Sequence, residues 1–371
     1  MDAPINRFAI VVLTVLLLGG TGAQDAFAQQ SDSSQAPDLT YAVGADVSFL
    51  KAAEEQGTTF RDSGRAEPGL EIFREHGYDW VRLRLFHSPD ELPNDLDYTI
   101  ELAKAAQERG FKFLLDYHYA DSWADPGKQP IPEAWTGLSA EVLADSVYEY
   151  TRRTIAAFRR AGVMPEMVQI GNETRNGMLW PTGKLPDHWD NFAMLVKAGI
   201  DGVDAGRGQA PRPLIMVHYD QGADAEGAKA YYDKFHSYDI GYDVIGLSYY
   251  PWWHGSLLDL RENLLSLVDN YEKDIILVET AYNWRPSAYQ GTAAPFPETP
   301  EGQRDFLSTV HETLLSIPSR QIKGIFWWEP AVMESPIRSR GMFDEDNNAL
   351  PVINVFDKYK HGVAGEADAP E

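Results

Sequence analysis

The 371-residue chain contains no cysteine. That excludes a disulfide framework, a thiolate metal site and a thiol nucleophile. Basic residues are scarce: 32 Lys and Arg stand against 56 Asp and Glu, for a formal charge of −24. Such a surface repels nucleic acid and anionic membranes and excludes the electrostatic footprint of a DNA binder. It suits a well-solvated extracellular protein, and also life in high salt, where screening removes self-repulsion. Long apolar runs are missing too, since Phe8–Leu18 falls short of the about 20 residues a bilayer-spanning helix needs. No Gly-rich phosphate loop follows an early strand. No Ser/Gly linker, short repeat or second composition zone divides the chain.

The first 28 residues have the layout of a secretory signal: Arg7, the short apolar run, then Ala26-Phe27-Ala28 as a small-x-small cleavage site. The expected product is secreted or periplasmic. Residues 29–40 are rich in Gln, Ser and Asp and read as a flexible leader, and 362–371 as a disordered acidic tail. Residues 41–361 then form one domain, long enough to bury a core without covalent staples.

Within that domain a strand-like apolar run, a polar or aromatic loop and a helical pattern recur. The runs are Tyr41–Val47, Trp80–Phe86, Lys112–Tyr117, Met167–Gly171, Leu214–His218, Val244–Tyr250, Ile275–Glu279 and Gly324–Trp328. Eight parallel βαβ units with right-handed crossovers close into a (β/α)₈ TIM barrel, an α/β fold. An open doubly wound sheet is the alternative, but it usually has fewer strands and an early phosphate loop. Between the runs, Val142–Arg160 places Leu143, Val147, Tyr150, Thr154 and Phe158 on one helical stripe, with Ser139 at the N-cap. Asp97–Arg109 and Pro300–Leu315 read as helices in the same way.

In such a barrel the loops after the strands carry function. Here the strand ends are polar: Asp46, Arg82 and Arg84, Asp116 and His118, Asn172 and Glu173, His218, Tyr249, Glu279, and Trp328 with Glu329. Any one of these carboxylates could simply pair with a neighbouring Arg; eight strand ends of this kind at one mouth read as a site. Glu173 ends the fourth run and Glu279 the seventh, so both can reach one bound group. Hydrolysis of a glycosidic bond needs two carboxyls, one protonated to release the leaving group and one ionised. Trp123, Trp135, Trp180, Trp252, Trp253 and Trp328 lie in loops or at strand ends, where indoles can stack on sugar faces; Trp80 and Trp327 read as core.

Two strings are distinctive: Asp116–Pro126 (Asp-Tyr-His-Tyr-Ala-Asp-Ser-Trp-Ala-Asp-Pro) and Ile170–Gly183 (Ile-Gly-Asn-Glu-Thr-Arg-Asn-Gly-Met-Leu-Trp-Pro-Thr-Gly). With Val81–Arg84, Ser248–Pro251, Val278–Thr280 and Trp328–Ala331 in order, the chain from about Val43 to Phe356 resembles glycoside hydrolase family 53, the endo-β-1,4-galactanases. The resemblance implies a retaining enzyme with Glu173 as acid/base and Glu279 as nucleophile, cutting galactan in the type I arabinogalactan side chains of pectin. It implies that Asn172 bonds the sugar 2-hydroxyl, that Arg82 lies beneath Glu279, and that Asp46 orients Arg82. Tyr249 and His218 would frame the reacting sugar, Trp328 would stack on it, and His118, Trp123 and Asp125 would shape the cleft. Arg84, Asp121 and Trp180 fall inside matched strings and are carried as substrate-binding candidates.

Bacterial members of that family hold calcium in the loop after the seventh strand. Here that loop, Thr280–Pro286, lacks alternating Asp, His or Asn ligands, so no cofactor is expected and packing around Trp284 should hold the loop. The acidic run Asp344–Asn348 could bind calcium but reads as a solvated turn. The expected partner is a polysaccharide met by a monomer, with no nucleic acid or membrane. Two other readings stay open: a related barrel acting on another β-1,4-polysaccharide such as mannan, and a carbohydrate-binding barrel without turnover.

Overall fold

All eight runs become parallel strands in the computed structural model, which describes residues 39–287, 294–332 and 337–359. They are β1 Ala42–Asp46, β2 Trp80–Leu85, β3 Lys112–Tyr117, β4 Met167–Ile170, β5 Leu214–Tyr219, β6 Val244–Tyr249, β7 Asp274–Thr280 and β8 Ile322–Trp328. Each pairs with its sequence neighbours, and β8 pairs with β1 from Ala42↔Gly324 to Asp46↔Trp328, which closes the barrel. The proposed signal segment, the leader up to residue 38 and the proposed tail lie outside the described residues. The leader assignment needs one correction. Leu39 is buried in the barrel floor, because an apolar side chain at the mouth of an apolar barrel end gains by leaving water.

The helices stand outside the strands: α1 Leu50–Glu55 and α2 Gly69–Glu75 in the first crossover, then α3 Leu96–Glu108, α4 Ala140–Arg160, α5 Trp189–Arg207, α6 Ala225–His236, α7 Leu257–Asn270 and α8 Pro300–Leu315. Their starts follow local chemistry. Asp95 accepts from the Tyr98 N–H at 2.8 Å, Ser139 from the Val142 N–H, and Ser256 with Asp259 forms a reciprocal capping box on α7. The stripe expected on α4 (Leu143, Val147, Tyr150, Thr154, Phe158) is buried against the sheet.

The period of two along each strand sorts side chains into two cores and a polar layer. Val81, Leu83 and Leu85 of β2, Phe113, Leu115 and Tyr117 of β3, and Ile245, Leu247 and Tyr249 of β6 join the large cluster between sheet and helices. The alternate positions Trp80, Leu114, Met167, Met216, Ile276 and Phe326 form a second, apolar cluster inside the barrel. Two residues further along, the same inward face carries Arg82, Asp116, Gln169, His218 and Trp328. The apolar floor thus supports a buried polar layer, which opens at the C-terminal mouth.

Gly44 makes room in that floor. A Cβ on it would lie 2.2 Å from a ring carbon of Phe326. Overpacking of this kind costs about 1–3 kcal/mol, so Gly44→Ala should lower the melting temperature by several degrees. An unchanged thermal melt would show that Phe326 can turn aside without penalty.

Candidate active site

Arg82, on β2, is the hub of the polar layer and is almost fully buried. Its Nη1 lies 2.9 Å from Asp46 Oδ2 and 2.7 Å from Glu279 Oε1, and its Nη2 lies 2.9 Å from Asp116 Oδ2. Nη2 also donates to Gln169 Oε1 at 3.1 Å and Asn172 Oδ1 at 2.9 Å. Burial alone would weaken this guanidinium's hold on its proton, but Asp116, Glu279 and Asp46 together raise its pKa. In return Asp116 stays well below the usual carboxylate range against its own desolvation, held there by Arg82 and His118.

The layer's orientation is over-determined. His118 Nδ1 accepts the Ala124 N–H at 3.0 Å, so its Nε2 carries the proton and faces Asp116 at 3.1 Å. That contact ties the loop after β3 to the layer. Burial keeps His118 and, more strongly, His218 neutral. Arg84 contacts Asp46 at 3.3 Å and Glu329, and its guanidinium lies 4.1 Å from the Trp123 ring centroid. Burial pushes Glu329 up to about 8 despite Arg84.

Glu173 leaves β4 through a tight turn. Gly171 (φ +79°) and Glu173 itself (φ +48°) are both left-handed; a Cβ on Gly171 would lie 2.8 Å from Thr174 Cγ2. A non-glycine residue in this region costs on the order of 1 kcal/mol, a strain that clusters at functional sites. The carboxylate accepts the Ser248 hydroxyl at 3.0 Å, and Ser248 lies 2.8 Å from His218 Nε2. Burial raises the Glu173 pKa well above its usual value, and the negative Glu279 and Asp220 add to this.

Glu279 reaches the site through a bulge. Ile275 and Leu277 face the helices, so simple alternation would send Glu279 outward as well. Instead the register with β6 slips: Leu247 pairs with Leu277, but Ser248 pairs with Glu279 and Tyr249 with Thr280. Val278 is the extra residue, and it turns Glu279 into the mouth, a known use of β-bulges. There Glu279 Oε2 accepts the Tyr250 hydroxyl at 3.0 Å. Burial raises its pKa also, but Glu279 alone of the two carboxyls touches a guanidinium. Of the pair, the proton belongs on Glu173.

Glu173 and Glu279 line one cleft of about 570 Å³, together with Arg82, His118, Trp123, Asp125, Asn172 and Trp328. Asp46, Arg84 and His218 lie beneath or behind it. Three candidates need correction. Tyr249 points away from the mouth: its hydroxyl donates to Gly255 O at 3.1 Å and its ring stacks on Phe306. The inward position on β6 is the next one, Tyr250. Asp121 accepts the backbone N–H groups of Ser88 at 3.0 Å and Glu133 at 2.7 Å, so it joins two loops rather than meeting the cleft. Trp180 donates to Asn176 O and lies under Lys184, outside the cleft lining.

Sequence reasoning missed Gln169, Ser248, Tyr250, Asp220 with Arg175, and Arg340. Counting alternation from Leu247 would have found Ser248 and Tyr250; Arg340 lies too far past β8 for any strand-end rule. The loop after β7 is tied to the segment Ile337–Arg340. Asn283 bonds Glu298 at 2.7 Å and Ser339 at 2.9 Å, and Trp284 donates to Ser339 O and Arg338 O. Asp344 accepts the Asp346 and Asn348 N–H groups within its own turn.

The family model of glycosyl hydrolase family 53 matches residues 42–356. The chain belongs to glycoside hydrolase family 53. Among relatives of this family 53 chain, the arabinogalactan endo-β-1,4-galactanase A of Emericella nidulans is 34% identical over 321 residues, 83% of this chain and 89% of that one. The arabinogalactan endo-β-1,4-galactanase of Cellvibrio japonicus is 32% identical over 355 residues, covering 88% and 93%. Among solved structures, the family 53 catalytic domain of Ignisphaera aggregans superposes with a TM-score of 0.80 at 31% identity, over 87% of this chain and 98% of that one. A fungal β-1,4-galactanase structure gives 0.80 at 31% identity over 86% and 99%. A β-1,4-mannanase of family 113, at 16% identity and a TM-score of 0.51, shares the fold alone.

The Tyr250 hydroxyl stabilises the ionised form of Glu279. Tyr250→Phe should therefore raise the Glu279 pKa and move the acidic limb of the kcat/KM profile to higher pH. Tyr249→Phe should leave that limb in place. The reverse pattern would reinstate Tyr249 at the site.

Proposed function

We propose that this family 53 enzyme is a secreted endo-β-1,4-galactanase that cleaves galactan, as in type I arabinogalactan side chains of pectin, with retention at the anomeric carbon. The observation that carries the roles is the electrostatic asymmetry of the two carboxyls. Glu279 touches Arg82 and Tyr250, which favour its anion; Glu173 receives only the neutral Ser248 hydroxyl and feels Glu279 and Asp220 as like charges. Glu173 is then the acid and Glu279 the nucleophile. The names and 32–34% identity of the relatives support galactan over mannan.

The steps follow from these groups. Glu173 gives its proton to the glycosidic oxygen as Glu279 attacks the anomeric carbon and the C–O bond breaks. Bonding to the sugar removes the Glu279 charge, so Glu173 becomes the stronger acid and rests as its anion. It then takes a proton from water, which attacks the same carbon and frees Glu279. With Glu173 ionised, Ser248 donates to it and accepts from His218 Nε2–H. Asn172 donates one amide N–H to Ala124 O at 2.9 Å and has its Oδ1 held by Arg82 and Gln169, which leaves its second N–H for the sugar 2-hydroxyl. Trp328 and Trp123 offer ring faces to the sugar, and Asp125 and His118 shape the wall.

Removing general acid–base help costs about 10²–10⁴-fold. Glu173→Ala should lose that much on galactan yet keep most of its rate on an aryl galactoside whose leaving group needs no proton. Glu279→Ala should be inactive on both. An active Glu279→Ala enzyme, or product released with inverted configuration by proton NMR, would overturn the roles. Faster release from mannan than from galactan would overturn the substrate.

A further inference from the structure

Four cationic Lys and Arg side chains line the cleft, and three have a carboxylate. Arg82 holds Asp46, Asp116 and Glu279; Arg175 binds Asp220 at 3.0 Å; Lys128 lies 3.9 Å from Asp125. Arg340 is the exception. Among the described residues its guanidinium makes no ion pair, although it is largely withdrawn from water and burial lowers its pKa from the usual value. An arginine keeps its proton even so. In a chain of net charge −24 an uncompensated, partly desolvated cation in the functional cleft calls for a reason.

Aromatic rings hold the guanidinium in place. Its carbon lies 4.8 Å from the ring centroid of Trp252, 5.2 Å from Trp253, and 6.0 Å from both Tyr250 and Trp328. Ring faces attract a cation without using up its N–H donors. The backbone is fixed too: Trp327 Nε1 donates to Arg340 O at 2.9 Å, and the adjacent Ser339 is bonded to Asn283 and Trp284. Tyr250 links the cage to the reaction centre, since its hydroxyl donates to Glu279. The donors of Arg340 are therefore held in place in the cleft that also contains Glu173 and Glu279.

We propose that Arg340 is the recognition point for a carboxylate-bearing sugar, a uronate, carried on the polysaccharide in this cleft. A guanidinium presents its N–H groups as a planar fork that matches a carboxylate and gives up less hydration than an ammonium would. The proposal rests on the reading of the cleft as a β-galactan site, with the acidic residue next to the sugar being cleaved.

The test is calorimetric titration in the Glu173→Gln background, so that turnover does not consume the ligand. The probes are β-1,4-galactotriose and the two trisaccharides in which the galactose at one or the other end carries a carboxylate at C6. One of the acidic probes should bind about tenfold tighter than the neutral one at low salt, the worth of one charge-assisted contact. The preference should shrink as salt rises, vanish with Arg340→Gln, and survive in part with Arg340→Lys. Equal binding of all three probes, or a preference that persists in Arg340→Gln, would overturn it; the first outcome is read without any change at Arg340. Binding of an acidic probe but not of galactotriose would support Arg340 while removing the galactan reading, and binding of none would overturn both.

Discussion

The contact on which the rest depends is that of the Arg82 guanidinium with Asp46, Asp116 and Glu279. Unpaired charges do not belong inside an apolar barrel, because an isolated buried charge costs several kcal/mol. The buried Arg82 cation shared among the three carboxylates, with Arg84 also at Asp46, makes the polar layer possible. Each partner then passes the order on. Asp116 fixes the tautomer of His118, and His118 holds the loop after β3 through Ala124. Asn172 is oriented by the same Nη2. Glu279 is held as the carboxyl that a cation touches.

The contrast between the two carboxyls follows from position. β7 brings Glu279 over the guanidinium, whereas β4 ends in a left-handed turn that lifts Glu173 toward a serine and a neutral histidine. Glu279 is buried and Glu173 half-buried, and desolvation pushes both up; contact with Arg82 separates them. Two chemically identical side chains thus differ in how they hold a proton because the barrel gives them different neighbours.

Much of the fold was legible in the chain because its cause is local. Period-two apolar alternation and helical stripes reflect which face is buried, and every run from Tyr41–Val47 to Gly324–Trp328 became a strand with no end moved by more than two residues. The site was legible where polar residues broke that alternation at strand ends: Asp46, Arg82, Asp116, Asn172, Glu173, His218 and Glu279. It was not legible where geometry depended on a neighbour. Tyr249 and Tyr250 are adjacent and alike in sequence, and only strand phase tells them apart. Asp121 and Trp180 sit in distinctive strings, yet bond to backbone that other segments bring close. Arg340 lies well past the end of β8 in the chain, and nothing local marks it as part of an aromatic cage.

By itself, then, the amino-acid order determined the repeat of strand and helix, the apolar floor with polar ends, and the placing of Glu173 and Glu279 at the ends of two strands. These are consequences of burial, which acts residue by residue. The tertiary structure alone decided which way Glu279 faces, through the extra residue Val278 in the β6–β7 register, and which glutamate meets the cation. It also decided that Leu39 belongs to the core and that Arg340 stands among four rings. Those outcomes depend on pairings between segments far apart in the chain, and electrostatic contact is set by distances that only the closed barrel defines.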